Sequence, residues 1–270
     1  MNYAVLGAGK MGGALVRGIM DSGLSTGESI SVSARSPESS KAKASLLGVI
    51  ASGSNSEAVR GAEVIFLCVK PAQAVAVVSS IASDLEGKLL VSIVAGIRSE
   101  DLFQATDGKA RIIRAMPNTA VRLRRGITAV APHRSCTEED LNSANSIFSS
   151  VGSAVIVHEG DLDIITAVSG SGPAFALLML EAMAQGGIEG GLDPELAKTF
   201  AAGALSAAAA LVNETGESPS ALRAEITSPA GTTAAGLSVL EKEGFPSIVR
   251  DSVRAARDRS IELSTPKSEQ

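Results

Sequence analysis

A chain of 270 residues with 45% apolar content is long enough for one large or two ordinary domains with a real core. Its net charge of −5, with no basic group denser than Arg122, Arg124 and Arg125, lacks the clustered Lys and Arg of a nucleic-acid footprint. The two cysteines, Cys68 and Cys136, cannot make a disulfide scaffold and point to a reducing compartment.

With no Trp, one Tyr and six Phe, the core must be built from Ala, Val, Ile and Leu. The first predicted strand begins at Asn2, which leaves no room for a signal peptide. No window of ~20 apolar residues is free of charge. The nearest, Phe200 to Val212, is too short to span a bilayer and reads as a packed helix. The expectation is a cytoplasmic protein with neither a nucleic-acid nor a membrane partner.

In chain order, strands are predicted at Tyr3–Gly7, Ser29–Ala34, Val64–Val69, Leu89–Gly96 and Arg111–Met116. Several are continuously apolar, as expected of parallel strands buried on both faces. Helical stretches such as Met11–Ser22 and Ala72–Leu85 fall between them, which is the pattern of repeated βαβ units. "ITAVAP" and "AVIVH" add two later strands, with a helix over Thr137–Val151 between them. After about Asp161 the strand signal ends. Helices follow over Ser171–Gly186, Pro194–Glu214, Pro219–Ile226, Thr232–Glu243 and Pro246–Leu263, with Pro173, Pro194, Pro219 and Pro246 near helix starts. "STPKSEQ" reads as a frayed tail.

The fold class is therefore α/β, with an N-terminal Rossmann-type doubly wound sheet over 1–160 and an all-α C-terminal domain over 161–270. The helix Ala197–Val212 carries small residues nearly all round, and small side chains bury little area. A helical domain so poor in large apolar groups is expected to find its burial against a second copy, as a homodimer.

"GAGKMG" is a G-x-G-x-x-G at Gly7, Gly9 and Gly12. It follows a strand and opens a helix at the start of a βαβ series, which is the context that the motif requires. Gly7 allows the tight turn, Gly9 the approach of backbone to a pyrophosphate, and Gly12 close helix–strand contact. The free N–H groups of the helix start then face the phosphates. At the end of the second strand an NAD site usually places Asp or Glu on the ribose. Here "SARSPES" has no carboxylate before Glu38. Arg35 can pair with a 2′-phosphate, with Ser33 and Ser36 as donors, so NADPH is favoured over NADH. "CVKP", "VAG" and "MPNT" at later strand ends would line a nicotinamide channel, Lys70 facing the crevice.

Strong acids and bases are scarce. His133 and His158 lack partners at metal or triad spacing, and no Cys/His cluster supports zinc. "SGSGP" (Ser169 to Pro173) is not G-x-S-x-G and precedes a helix outside the sheet, so it is not a hydrolase elbow. A nicotinamide enzyme tolerates such a site if its substrate is already electrophilic, such as a protonated imine. Hydride transfer then needs chiefly positioning. The uncharged stretch "ITSPAGTTAAGL" (Ile226 to Leu237) could hold a carboxylate with hydroxyls and backbone N–H groups at a helix start.

These motifs carry a resemblance. "GAGKMGGALVRG", "FLCVKP", "RAMPNTAV", "DIITAVSGSGPAFALLMLEAMAQGG" and "ITSPAGTTAAGLSVLE" occur in order over nearly the whole chain, which resembles the pyrroline-5-carboxylate reductase family. The resemblance implies NAD(P)H-dependent reduction of (S)-1-pyrroline-5-carboxylate to L-proline, and an interlocked helical dimer, often built into larger rings. It implies cofactor contacts at Leu6, Gly7, Ala8, Gly9, Lys10 and Met11, at Ser33, Arg35 and Ser36, at Asn55, at Val69, Lys70 and Pro71, and at Val94, Ala95 and Gly96. It implies substrate contacts at Ser228, Gly231, Thr232 and Thr233, with the Thr233 hydroxyl on the ring nitrogen in the catalytic role.

Three positions depart from the family. Ala230 stands where "SPGG" is usual, Ala120 replaces a common proline after "MPNT" ahead of the basic "RLRRG", and Glu225 stands near the cofactor where some relatives have another residue. A six-membered imino acid and a non-catalytic NADP(H)-binding sensor are the competing readings. A β-hydroxyacid dehydrogenase would want a lysine on the helix after "SGSGP", and none occurs before Lys198.

Overall fold

The computed structural model describes residues 1–264. The first half alternates as the apolar runs predict. It runs β1 (Tyr3–Leu6), α1 (Lys10–Asp21), β2 (Ile30–Ser33), α2 (Pro37–Leu47), β3 (Ile50–Ala51), α3 (Asn55–Arg60), β4 (Val64–Leu67), α4 (Pro71–Ser80), β5 (Leu89–Ser92), α5 (Ser99–Ala105) and β6 (Arg111–Pro117). Then come β7 (Gly126–Pro132), α6 (Glu138–Ser150), β8 (Gly152–Ile156) and a short α7 (Leu162–Ile165).

The strands form one sheet in the order β3-β2-β1-β4-β5-β6-β7-β8. β1 pairs in parallel with both β2 and β4, so the chain winds outward to one side and then crosses to the other. That reversal of strand order puts the topological switch point at the carboxyl end of β1, where open α/β sheets bind ligands. β6 and β7 pair antiparallel, and β8 runs parallel to β7.

Alternation along the strands builds both faces. Tyr3, Val5, Phe66 and Val91 meet Leu15, Ile19 and Phe148 on one face. Ala4, Leu6, Ile65, Leu67 and Leu90 meet Val59, Val78 and Leu102 on the other. Every residue of β1, β4 and β5 is buried, which explains why these strands read as unbroken apolar runs.

The expected helix Ala72–Leu85 is divided. Ile81 leaves helical geometry at φ −123° and continues into a 3-10 turn over Ala82–Leu85. Its side chain is buried in the second core, so burial outweighs helix continuity there. The short β3 and the short helices α3 and α5 carry too little periodicity to be read from sequence. Of the expected tail, Ser264 ends α12, and residues 265–270 lie outside the described residues.

The helical half comprises α8 (Gly172–Glu189), α9 (Pro194–Thr215), α10 (Pro219–Glu225), α11 (Thr232–Lys242) and α12 (Phe245–Ser264). The chain divides into two units, Met1–Gly170 with the end of α12 from Ala256, and Ser171–Ala255. The boundary expected at residue 160 falls just ahead of α7.

In the second unit α8 packs on α9, and α9 touches α10. Burial there is slight. Among its described residues only Ala197, Ala201 and Leu222 are buried hydrophobics, while Leu178 is 67% exposed and Phe200 65%. Two helical stretches, Glu159–Glu189 and Pro194–Thr215, are long and apolar enough by composition to cross a membrane. The first of these holds an uncharged run from Ile164 to Leu180, which is longer than Phe200–Val212.

Candidate active site

The glycine loop sits at the switch point. Gly7 adopts φ +92°, and a Cβ there would lie 2.7 Å from the Cys68 carbonyl oxygen, so only glycine fits the turn. A Cβ on Gly12 would lie 2.7 Å from the Gly7 carbonyl oxygen, which makes Gly12 the point of close helix–strand contact. At Gly9 a Cβ would meet nothing within 4 Å, so the space beside its backbone is open to a ligand. Gly9 is also the N-cap of α1. It provides no side-chain cap, and the first turn holds no acid. The orphan N–H groups of that turn and the positive end of the helix dipole therefore suit a pyrophosphate.

Residues far apart in sequence close this loop. The Ser33 carbonyl oxygen accepts from the Gly7 N–H at 3.0 Å and the Ala8 N–H at 3.4 Å. The Ser33 hydroxyl donates to Asn55 Oδ1 at 2.7 Å. The end of β2 and the start of α3 are thus fixed to the glycine turn. Leu6 and Ala8 are buried, so they can present only backbone. Ser36 caps α2 by accepting from the Ser39 N–H at 3.3 Å. Arg35 is exposed and has no ion pair among the described residues, which leaves its guanidinium available to an anion.

Around the other strand ends, Lys70 is the exposed N-cap of α4 and Pro71 its first residue, while Val69 packs onto the second core. Beyond β5, Val94 is buried and Gly96 turns the chain at φ +78°. Ala95 packs against the third core, formed by Met116, Ala129, Ala131 and Leu162. Burial pushes the Cys68 thiol well above its ordinary range, so it stays protonated behind the glycine loop. Ala120 departs from proline with a visible effect. Its N–H donates to Asn118 Oδ1 at 3.1 Å, a bond that proline could not make.

In the second unit, Ser228 to Gly231 form a tight turn, the Gly231 N–H donating to the Ser228 carbonyl oxygen at 3.1 Å. Pro229 and Ala230 are its central residues, and Ala230 takes φ +58°. This is the type II pattern, whose third position favours glycine. A Cβ on Gly231 would lie 2.4 Å from Ser228 Oγ, so that glycine seats the serine hydroxyl against the backbone. Gly231 is the N-cap of α11 and lacks a side-chain cap bond, and its first turn begins with the exposed Thr232 and Thr233. The loop thus brings three hydroxyls to an uncapped helix start, with no acid in its first turn. Glu225 is the exposed last residue of α10.

His133 is buried and has partners that sequence spacing did not reveal. Its Nδ1 is 2.9 Å from Ser135 Oγ and its Nε2 is 3.1 Å from Glu100 Oε2. The ring lies 4.7 Å from that of Phe103. Ser135 Oγ also accepts from the Ile112 N–H at 3.1 Å, so the group braces the β6–β7 end of the sheet. "TAVSG" forms a π-helical turn over Thr166–Gly170, a feature frequent at functional sites. Among the described residues no cluster of His, Cys, Asp and Glu is placed to hold a metal ion.

Residues 159–263 match the family model described as pyrroline-5-carboxylate reductase dimerisation, and residues 2–96 match one described as NADP oxidoreductase, coenzyme F420-dependent. A pyrroline-5-carboxylate reductase of Methanosarcina acetivorans is 39% identical, with 96% of each chain covered. One from Escherichia coli is 37% identical over 96% of this chain and 97% of its own. Among solved structures, a Plasmodium falciparum pyrroline carboxylate reductase with NADP bound superposes with a TM-score of 0.90 at 30% identity, covering 98% of both chains. With that identity over nearly full length, and with the glycine loop and the hydroxyl-bearing turn in the expected elements, the chain belongs to the pyrroline-5-carboxylate reductase family.

Proposed function

We propose that this chain reduces (S)-1-pyrroline-5-carboxylate to L-proline with NADPH, the last step of proline biosynthesis. The observation that carries the reading is the presence of two helix starts suited to anions. One is an uncapped helix start at Gly9 beside the cradle of Gly7, Ser33 and Asn55. The other is an uncapped helix start at Gly231 ringed by Ser228, Thr232 and Thr233. The first fits a dinucleotide pyrophosphate, and the second fits a small carboxylate.

When bound, NADPH would supply the hydride to the carbon of a C=N bond whose nitrogen already carries a proton, so the amine forms with no further proton donor. The protein's own residues bind and orient. Gly7 to Met11 hold the pyrophosphate through backbone, and Arg35 with Ser36 takes the ribose 2′-phosphate, while the buried Ser33, whose hydroxyl proton goes to Asn55, fixes the turn instead of donating to the phosphate. Val69 to Pro71 and Val94 to Gly96 border the nicotinamide. Ser228, Gly231 and Thr232 hold the substrate carboxylate, and the Thr233 hydroxyl bonds the ring nitrogen. Residues 1–160 thus serve the cofactor, and 161–270 serve the substrate and assembly.

The protein acts as a homodimer or a larger assembly of dimers in the cytoplasm. The exposed apolar helices of the second unit and the two unpaired cysteines support this. Steady-state assays with five- and six-membered imino acids and both cofactors test the reading. Turnover is expected with the five-membered ring and NADPH. Tight NADPH binding without turnover would point instead to a sensor. Thr233→Ala is expected to lower kcat/KM by about 1–3 kcal/mol, the cost of one lost hydrogen bond, and an unchanged variant removes Thr233 from the mechanism.

A further inference from the structure

Helix α5 begins without a local cap. Its N-cap is Arg98, whose side chain has no acceptor, and it makes no side-chain cap bond. The acceptor comes instead from Glu159, beyond β8. Glu159 Oε1 accepts from the Ser99 N–H at 2.7 Å, and Oε2 accepts from the Ser99 hydroxyl. The same carboxylate accepts from Arg114 Nη1 on β6 at 2.9 Å, and the Arg114 side chain is only 7% exposed. Burial alone would raise the Glu159 carboxyl. The Ser99 and Arg114 hydrogen bonds outweigh it and hold the group below its ordinary range, ionised at neutral pH.

Arg114 ties down both feet of one loop. Ser92, the last residue of β5, pairs with Arg114 in the sheet register. Ser99, where the chain re-enters helix, reaches Arg114 through Glu159. Between these feet run Ile93 to Arg98, which include Val94, Ala95 and Gly96. Within the loop the Ile93 N–H donates to the Leu67 carbonyl oxygen at 3.1 Å, Val94 and Ile97 pack into the second core, and Ala95 packs against the core that contains Leu162. Leu162 follows Glu159 within the same turn of chain, so one short segment clamps the loop by charge and by packing.

We propose that Glu159, held by Arg114, is a positioning residue that sets the Ile93–Arg98 loop and thereby the nicotinamide end of the bound dinucleotide. The inference rests on the assignment of Val94 to Gly96 to that end of the cofactor. Glu159 touches neither cofactor nor substrate. Its carboxylate fixes the loop base, and the loop backbone fixes the ring.

The test compares the full-length wild type with Glu159→Ala and Glu159→Gln. Calorimetry measures binding of NADP+ and of adenosine 2′,5′-bisphosphate, which carries the 2′-phosphate end but no nicotinamide. Glu159→Ala is expected to weaken NADP+ by about fivefold or more and to lower kcat by about tenfold, while binding of the bisphosphate stays within about twofold. Glu159→Gln keeps an acceptor for Ser99 and is expected to recover part of both losses. Equal weakening of both ligands, or an unchanged Glu159→Ala, overturns the proposal. Should Glu159→Ala fail to fold, Arg114→Lys retains a cation in the sheet and is expected to give the same split between ligands; equal effects on both would again overturn it. A wild type that does not oxidise NADPH with pyrroline-5-carboxylate would defeat the functional reading alone, and the calorimetric split would still decide the clamp.

Discussion

The two units solve the problem of burial in opposite ways. In the first, the four residues of β4 are all buried, and helices line both faces of the sheet. In the second, an eighteen-residue helix, α8, buries none of its residues within the single chain. The first unit closes its core around β1, β4 and β5 with its own chain, while its β8 edge, with Val155 and Ile156, and the nearby Val168 stay about half exposed. The second leaves Leu177, Leu178, Phe200 and Val239 in solvent, each more than half exposed. Apolar surface on that scale marks an interaction face, and in the proposed dimer another copy covers it. The difference teaches that the first unit buries most of its apolar surface by itself, whereas the second leaves its helices a face that only another surface can cover.

Two phenylalanines put the comparison at risk most directly. Phe66 is fully buried and stacks near Tyr3, their ring centroids 6.1 Å apart. Phe66→Ala is expected to cost about 3–5 kcal/mol, seen as a fall in Tm that does not depend on protein concentration. Phe200→Ala removes the same group from an exposed helix face. Its loss of Tm is expected to grow as the protein is diluted, because the missing contact is with another chain. A concentration-independent effect at Phe200 would break the contrast.

The next largest effect belongs to the first unit alone. Arg35→Ala is expected to weaken NADPH by about 2 kcal/mol, the worth of a charge-assisted hydrogen bond, and to leave NADH nearly unchanged. If the cofactor half is self-contained, the defect is the same at every oligomer concentration. Equal losses for the two cofactors would remove Arg35 from the 2′-phosphate site.

The smallest effect sharpens the picture of the second unit. Ala230 sits at φ +58°, where an L-residue costs roughly 1 kcal/mol and glycine does not. Ala230→Gly relieves that strain and returns some backbone entropy to the unfolded chain. A net gain below about 1 kcal/mol is expected by thermal melting. A loss would mean that the methyl group itself makes a favourable contact.

Much of this was legible in the sequence, for physical reasons. Parallel strands buried on both faces read as apolar runs, and the glycine loop is dictated by contacts a Cβ would destroy. The resemblance supplied Asn55, whose bond to the Ser33 hydroxyl depends on β2 and α3 lying side by side. The strain at Ala230 was foreseeable once the position was known to want glycine. What stayed hidden depends on contacts between distant segments. Glu159 capping Ser99, and Glu100 reaching His133, leave no local pattern, because each partner is an ordinary charged residue in its own surroundings. The uncharged run from Ile164 into α8 is hard to read as apolar because Thr166, Ser169, Gly170 and Ser171 interrupt it.

The reversal of direction between β6 and β7 has a kinetic consequence. Pro117 pairs with Thr128 across a short connection, whereas Tyr3 must wait for Val64 and every other ladder spans a longer stretch of chain. The entropy of closing a loop rises with its length, so this hairpin has the smallest closure cost in the sheet. It is the ladder expected to form first, giving β5 a template to dock on from one side and β8 from the other. The β1–β4 ladder spans the longest stretch of chain and would close last, so the switch point at the glycine loop would take shape only when the two sides of the sheet already stand.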